Sequence, residues 1–276
     1  MEKIKMEALE RIMQQVRNPN TISIDHTKDQ TIVKKKLIFN NTTVCPICKN
    51  VGMVLNKSTG AYRQCECIKR QNLKDLWKRY GVDPKDIKKL NEFICTNDLQ
   101  KIAKDKAIKY IKNFEQIKNT KENSFGLFGQ PGAGKTHILL AMGAALISQG
   151  IQVLYMPYVE VMRELKATTM DNEYYMKISR GYMKAKVLII DDLFKDKLRN
   201  GEVVGELKEA DIKHLYPIIN YRYLNNLPIL ISSECTPELL QQFDEAQGGR
   251  IVERCGDNIT VFKGEKYNYR MQKFIS

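Results

Sequence analysis

The run Gly129-Gln130-Pro131-Gly132-Ala133-Gly134-Lys135-Thr136 constrains this chain more than any other. It follows the pattern G-x-x-x-x-G-K-[ST], and it lies between an apolar stretch, Phe125-Gly126-Leu127-Phe128, and a helix-forming one, Thr136 to Ser148. That is the setting a phosphate-binding loop requires: a strand delivers the loop, glycines let the backbone wrap an anion, and the next helix aims its N–H groups at it. Gly132 and Gly134 clear the way to a β-phosphate, Lys135 reaches the β and γ phosphates, and the Thr136 hydroxyl is a ligand for Mg2+. Residues Gly129 to His137 are therefore the expected ATP-binding loop, His137 being an ordinary first-turn helix residue.

Beyond the loop the elements alternate, with a strand at Ile151–Met156, a helix through Val159–Lys166, and buried strands at Val187–Ile190 and Pro228–Ser233. Alternation of this kind predicts an α/β fold, a parallel sheet covered by helices on both faces. Asp191 and Asp192 end one apolar strand, where such a sheet presents its ligands. Asp191 is the expected Mg2+ ligand, and Asp192 the group that orients or deprotonates the attacking water. Ser232, Ser233 and Glu234 end the next strand, so one of them is placed to meet the γ-phosphate or the water. Arg250 and Arg254 lie one helical turn apart in Gly249-Arg-Ile-Val-Glu-Arg254; an arginine on a subunit edge can stabilise charge in a neighbour's site, and a solvated helix face is the alternative.

The four thiols Cys45, Cys48, Cys65 and Cys67, spaced C-x-x-C then C-x-C, fit one tetrahedral Zn2+ with no position left for water, a structural site. Cys95, Cys235 and Cys255 lack partners at ligand spacing and are expected in packing. A basic helix from Ile68 to Tyr80 stops at Gly81, and a helical stripe of Ile4, Ala8, Leu9, Ile12, Met13 and Val16 opens the chain. Lys and Arg outnumber Asp and Glu by 45 to 32, a formal charge of +13 that favours a polyanionic partner, nucleic acid ahead of a membrane. Tyr174, Tyr175, Lys177, Arg180, Tyr182, Lys184 and Lys186 interleave rings and cations, as a surface for single-stranded nucleic acid or as a mixed helix face. Nothing is apolar for long enough to span a bilayer and the amino terminus is no secretory signal, so a cytoplasmic protein is expected.

Five segments together carry a family resemblance: Gly126 to His137, Val187 to Lys195, Ile219 to Leu224, Ile231 to Glu234 and Gly249 to Arg254. They resemble the DnaC/DnaI-type replicative helicase loaders of phages and Gram-positive bacteria, over about residues 90 to 270. The cysteine region resembles the zinc-binding amino-terminal domain of the DnaI branch. The resemblance implies an AAA+ ATPase, lid-deficient, that self-associates, binds the hexameric replicative helicase and helps place it on single-stranded DNA. It implies three parts: residues 1–80 with the zinc site as helicase-interacting domain, a linker at 81–98, and an ATPase domain at 99–276. Lys135 and Thr136 match Walker A, Asp191 and Asp192 match Walker B, and Arg254 resembles the arginine finger with Arg250 as its competitor. The sensor position that is commonly asparagine falls on Ser233 or Glu234, and Arg270 is not given the role of a lid arginine. Two other functions fit the same core: a transposition helper ATPase of the IstB kind acting with a DNA-bound transposase, and a nucleotide-binding adaptor without useful turnover.

Overall fold

The computed structural model describes residues 44–263, apart from Ser58, 200–201 and 207–208; the expected helix near the amino terminus and Arg270 lie outside the described residues. Packing gathers the described residues from Cys45 onward into one compact unit, so the cysteine region shares it with the sheet. The cysteine region is a knuckle, Cys45 to Val51, then a hairpin of β1 (Met53–Leu55) and β2 (Tyr62–Gln64), then helix α1 (Glu66–Arg79). Lys49, Asn50 and Gly52 all take positive φ, which curls the knuckle tightly enough to bring its two thiols to one side. Gly81, also at positive φ, follows the end of α1 as expected.

Helix α2 (Asp98–Ile117) is capped by Asn97, whose side chain accepts from the Gln100 N–H, and leads to β3 (Phe125–Gly129). Then come α3 (Lys135–Ser148), β4 (Val153–Pro157), α4 (Tyr158–Ala167), α5 (Asn172–Lys184) and β5 (Val187–Leu193). A two-stranded hairpin, β6 (Leu198–Arg199) with β7 (Glu202–Val203), precedes α6 (Glu209–Leu224), β8 (Ile229–Ser233), α7 (Pro237–Phe243), α8 (Glu245–Cys255) and β9 (Ile259–Phe262). The order across the sheet is β4-β5-β8-β3-β9, and every pairing is parallel.

Both faces are covered, which is why the strands read as continuous apolar runs rather than as alternation. Phe125, Leu127, Val187, Ile189 and Leu230 pack against α2, α3 and Trp77 of α1, while Phe128, Leu188, Ile190, Ile229 and Ile231 pack against α4 to α8. Trp77 is fully buried and its indole Nε1 donates to the Val153 carbonyl at 3.0 Å, closing part of the outer edge of β4. Gly143 makes room for that ring: a Cβ there would lie 2.5 Å from both Trp77 and Ile189. Buried Arg222 donates to the carbonyls of Tyr182, Met183 and Ala185 and, at 2.6 Å, of Pro228, so it holds the end of α5 to the start of β8. Burial lowers its guanidinium to about 9.

Candidate nucleotide site

Three strand ends converge on the phosphate loop. Gly129 leaves β3 at φ +95°, and a Cβ there would stand 2.2 Å from the Phe262 carbonyl of β9, so only glycine fits. Gln130 N donates to that same carbonyl at 2.9 Å, fixing the loop's entry, and Gly134 at φ 90° starts α3. Lys135 is buried, with Nζ donating to the carbonyls of Gly129 at 2.6 Å and Gln130 at 2.7 Å; its ammonium thus sits over the loop it would share with phosphates. Gln100, from α2, steadies the far side by donating to the Ala133 carbonyl at 3.2 Å.

At the end of β5 the pairing with β8 slips between Ile190 and Leu193, and Asp192 takes a left-handed φ of 57°. This bulge turns the two aspartates different ways. Asp191 points inward to accept from Thr136 Oγ1 at 3.0 Å, from Tyr155 OH at 3.0 Å, and from Ser232 Oγ. Burial pushes its carboxyl above the ordinary value and the charge of Asp192 adds to that, against the pull of the three hydroxyls. A buried carboxylate beside a threonine hydroxyl suits a hard divalent cation, and Thr136 with Asp191 would hold Mg2+ there. Asp192 is half-buried and lines the cavity.

The cavity is about 550 Å3 and is walled by Lys88, Glu92, Phe93 and Ile94 on one side and by the loop, Asp192, Lys195 and Glu234 on the other. The segment 81–98 thus contributes directly to the site. The Phe93 and His137 rings lie 5.1 Å apart, and burial, with Lys88 nearby, lowers the His137 imidazole, leaving it neutral at pH 7 and fit to pack on a ring. Sequence reasoning missed Lys88, Glu92, Phe93, Ile94, Gln100, Tyr155 and Lys195, because none carries a local motif.

Ser233 is turned away from the cavity: its hydroxyl donates to the Leu193 carbonyl at 2.7 Å and accepts from Cys235 N at 3.0 Å. Ser232 and Glu234 are the residues of that strand end that reach the site. Arg254 is buried at the opposite, amino end of the sheet, donating to Asn226 Oδ1 at 2.6 Å and Asn123 Oδ1 at 2.9 Å, which leaves it no reach beyond the molecule. Arg250 instead lies 5.3 Å from the Tyr216 ring and 5.4 Å from Tyr223, and its buried Nη1 has no hydrogen-bond partner.

On α5 Tyr182 and Tyr175 are turned inward, while Tyr174 stays on the surface. Tyr182 is buried against Tyr80 at 3.0 Å and Tyr175 bonds the His214 Nδ1, so the interleaved surface reduces to Tyr174, whose hydroxyl bonds Glu164, and the exposed cations Lys177, Arg180, Lys184 and Lys186.

The thiols of Cys45, Cys48, Cys65 and Cys67 lie within 4.8 Å of one another. Cys45 and Cys65 are 3.9 Å apart and Cys48 and Cys67 3.4 Å, close to the roughly 3.8 Å that tetrahedral Zn–S bonds impose. Backbone N–H groups of Cys48 and Ile47 lower Cys45 to about 6, while burial and the other thiols push Cys67 up. Four thiolates this crowded cannot all ionise without a cation between them, so the donor set fits zinc. Cys235 and Cys255 are buried in the core, as expected.

Fold and site together define a phosphate-loop ATP-binding protein with a parallel α/β sheet. A family model described as IstB-like ATP binding protein matches residues 80–273, and the chain belongs to that family. The uncharacterized protein YqaM of Bacillus subtilis (strain 168) is 38% identical over 217 residues, 76% of this chain and 66% of that protein, so the chain spans just under two thirds of its length. The phage-like element PBSX protein XkdC of the same organism is 35% identical over 252 residues, covering 83% of this chain and 86% of its own. The crystal structure of the DnaC helicase loader shares the fold with a TM-score of 0.53 at 23% identity, over 63% of this chain and 96% of that one. Among the described residues no helix is long and apolar enough to cross a membrane.

Proposed function

We propose that this chain is an ATP-dependent loader that binds a replicative DNA helicase and delivers it to single-stranded DNA. The observation that carries the reading is the placement of the cysteine module. Its helix α1 is fastened to the ATPase sheet through Trp77, while Ile47, Val51, Met53, Leu55 and Tyr62 leave an apolar surface exposed on the knuckle and hairpin. A zinc-braced apolar face fixed to an ATPase core is suited to gripping a protein partner and transmitting the nucleotide state to it. The fold shared with the DnaC helicase loader supports that choice of partner.

In this reading Lys135 holds the β and γ phosphates, Thr136 and Asp191 hold Mg2+, and Asp192 orients the attacking water. Zinc held by Cys45, Cys48, Cys65 and Cys67 fixes the docking face. The chain self-associates through its ATPase domains, with the half-buried Arg250, held beside the Tyr216 and Tyr223 rings, as the candidate finger for the neighbouring nucleotide. Arg254 fixes the helix that carries it. The cations Lys177, Arg180, Lys184 and Lys186 follow the phosphates of single-stranded DNA.

The test is capture of the purified hexameric helicase by the full chain with ATP present, against an Ile47→Asp, Tyr62→Asp variant, with ATP hydrolysis as the control for folding. Capture by the natural chain alone, with hydrolysis equal in both, supports the loader. A natural chain that ignores the helicase but binds a transposase on DNA would replace this reading with the transposition helper. Metal analysis of the reduced protein should find about one zinc per chain.

A further inference from the structure

The wall of the nucleotide cavity contains an ion pair that none of the roles above uses. Lys195 follows the bulged end of β5, and its Nζ meets the carboxylate of Glu234, the residue after β8. Both side chains line the same cavity as Lys135, Thr136 and Asp192. Their exposures differ in a telling way: the Glu234 side chain is 6% exposed, that of Lys195 41%. A carboxylate buried beside a polyphosphate site opposes its ligand unless a cation covers it.

The main chain on either side of Lys195 is pinned. Phe194, at a left-handed φ of 61°, is buried with its ring 5.5 Å from both Tyr158 and Phe243. On the other side Lys197 is buried and paired with Asp196 at 2.9 Å and Asp211 at 3.0 Å. With both neighbours anchored, the flexible four-carbon stem of Lys195 is the part free to move. On the cavity wall it shares the lining with the carboxylates of Glu234, Asp192 and Glu92 and the ammonium groups of Lys88 and Lys135, and Glu234 is the one it meets.

Resting on the reading of this cavity as the ATP site, we propose that Lys195 is a second ligand of the terminal phosphate, beside Lys135, parked on Glu234 when the cavity holds a diphosphate and drawn off it by a triphosphate. A lysine is suited to this task because its ammonium is a point charge on a long stem, able to swap partners without any backbone change. Glu234 is then a positioning residue: it keeps the ammonium at the cavity wall and competes with the phosphate for it. The pair adds to Lys135 a second cation for the γ-phosphate, one whose release from Glu234 depends on that phosphate, and so sharpens the discrimination of ATP from ADP.

Affinities for fluorescent ATP and ADP analogues, measured on the full chain and on Lys195→Gln, Lys195→Arg and Glu234→Gln, test this. Lys195→Gln should weaken the triphosphate about tenfold or more and leave the diphosphate within about twofold, the loss expected for one charged hydrogen bond. Lys195→Arg should restore most of the preference. Glu234→Gln, which removes the competitor, should tighten the triphosphate several-fold and not the diphosphate. Equal changes for both nucleotides, or none, would overturn the proposal while leaving the ATP site intact. A natural chain that binds neither nucleotide would overturn the ATP reading and this inference with it.

Discussion

At the amino ends of β3 and β8, polar groups close on one another; at the carboxyl ends of the same strands, they open onto a cavity. Asn123 shows the first pattern. Its amide donates to the carbonyls of Lys118 and Asn226 at 2.7 Å each, its Oδ1 accepts from Arg254, and its own carbonyl accepts from Tyr110 OH at 2.6 Å. Each side-chain polar group of Asn123 answers another in a fixed geometry, which is the signature of a brace. At the carboxyl ends the donors on Asp191 are the rotatable hydroxyls of Thr136, Tyr155 and Ser232, each able to accept as well as donate. Such a set can rearrange around an incoming cation, so one end of the sheet serves stability and the other chemistry.

The sharpest way to break this contrast is to remove one cation from each end. Lys135→Ala should cut ATP turnover by about 10^2 to 10^3-fold, with stability changed by no more than about 1 kcal/mol. Phosphate release and thermal melting read the two quantities. Arg254→Ala should do the reverse. It strips two charged hydrogen bonds and leaves the Oδ1 atoms of Asn226 and Asn123 short of a donor, a loss of about 2–4 kcal/mol, or roughly 5–12 °C in melting. Turnover per folded molecule should stay near normal. If Arg254→Ala melts like the natural chain but loses turnover that depends on self-association, the brace assignment fails and the finger returns to Arg254.

The chemistry end was legible because its signals are local. The phosphate loop is eight consecutive residues, the aspartate pair ends an apolar strand, and the cysteines declare themselves by spacing. What sequence did not reveal depends on partners far along the chain. Arg250 and Arg254 look equivalent one turn apart until Asn123, 131 positions from Arg254, selects one of them as a brace. The tyrosines of α5 look like one stacking surface until Tyr80 claims Tyr182 and His214 claims Tyr175, leaving Tyr174 alone on the outside. Strand β9 is four residues whose meaning comes only from pairing with β3. Phe93 joins the site because the chain before α2 folds back over the loop, bringing its ring within 2.7 Å of where a Cβ on Gly134 would stand.

A smaller effect of opposite sign is expected at Asp191. Its carboxyl is pushed up by burial, so the stability linked to its proton is full below the ordinary value and is lost as pH rises through the raised one. Once ionised, the group costs stability that Mg2+ would offset. Asp191→Asn should raise the melting stability of the nucleotide-free protein by about 0.5–2 kcal/mol, an advantage that grows with pH and vanishes in acid, while Mg2+-dependent hydrolysis collapses. A variant that is less stable at every pH would mean that Asp191 belongs with the braces.

The finest division runs through Tyr155, which belongs to both patterns. Its ring packs 5.4 Å from Trp77, the residue that fastens the cysteine module to β4, and its hydroxyl donates to Asp191 Oδ2 at 3.0 Å. Tyr155→Phe keeps the ring and deletes only the donor, so the two roles separate. If the hydroxyl orients the carboxylate for a cation, the Mg2+ concentration for half-maximal hydrolysis should rise about fivefold, near 1 kcal/mol, with melting almost unchanged. If instead melting falls and the Mg2+ dependence stays put, the hydroxyl is a packing bond in the wall between the cysteine module and the sheet. The same measurement then says whether a change at the docking face has a direct route to the metal ligand, since Trp77, Tyr155 and Asp191 form a continuous line of contact between them.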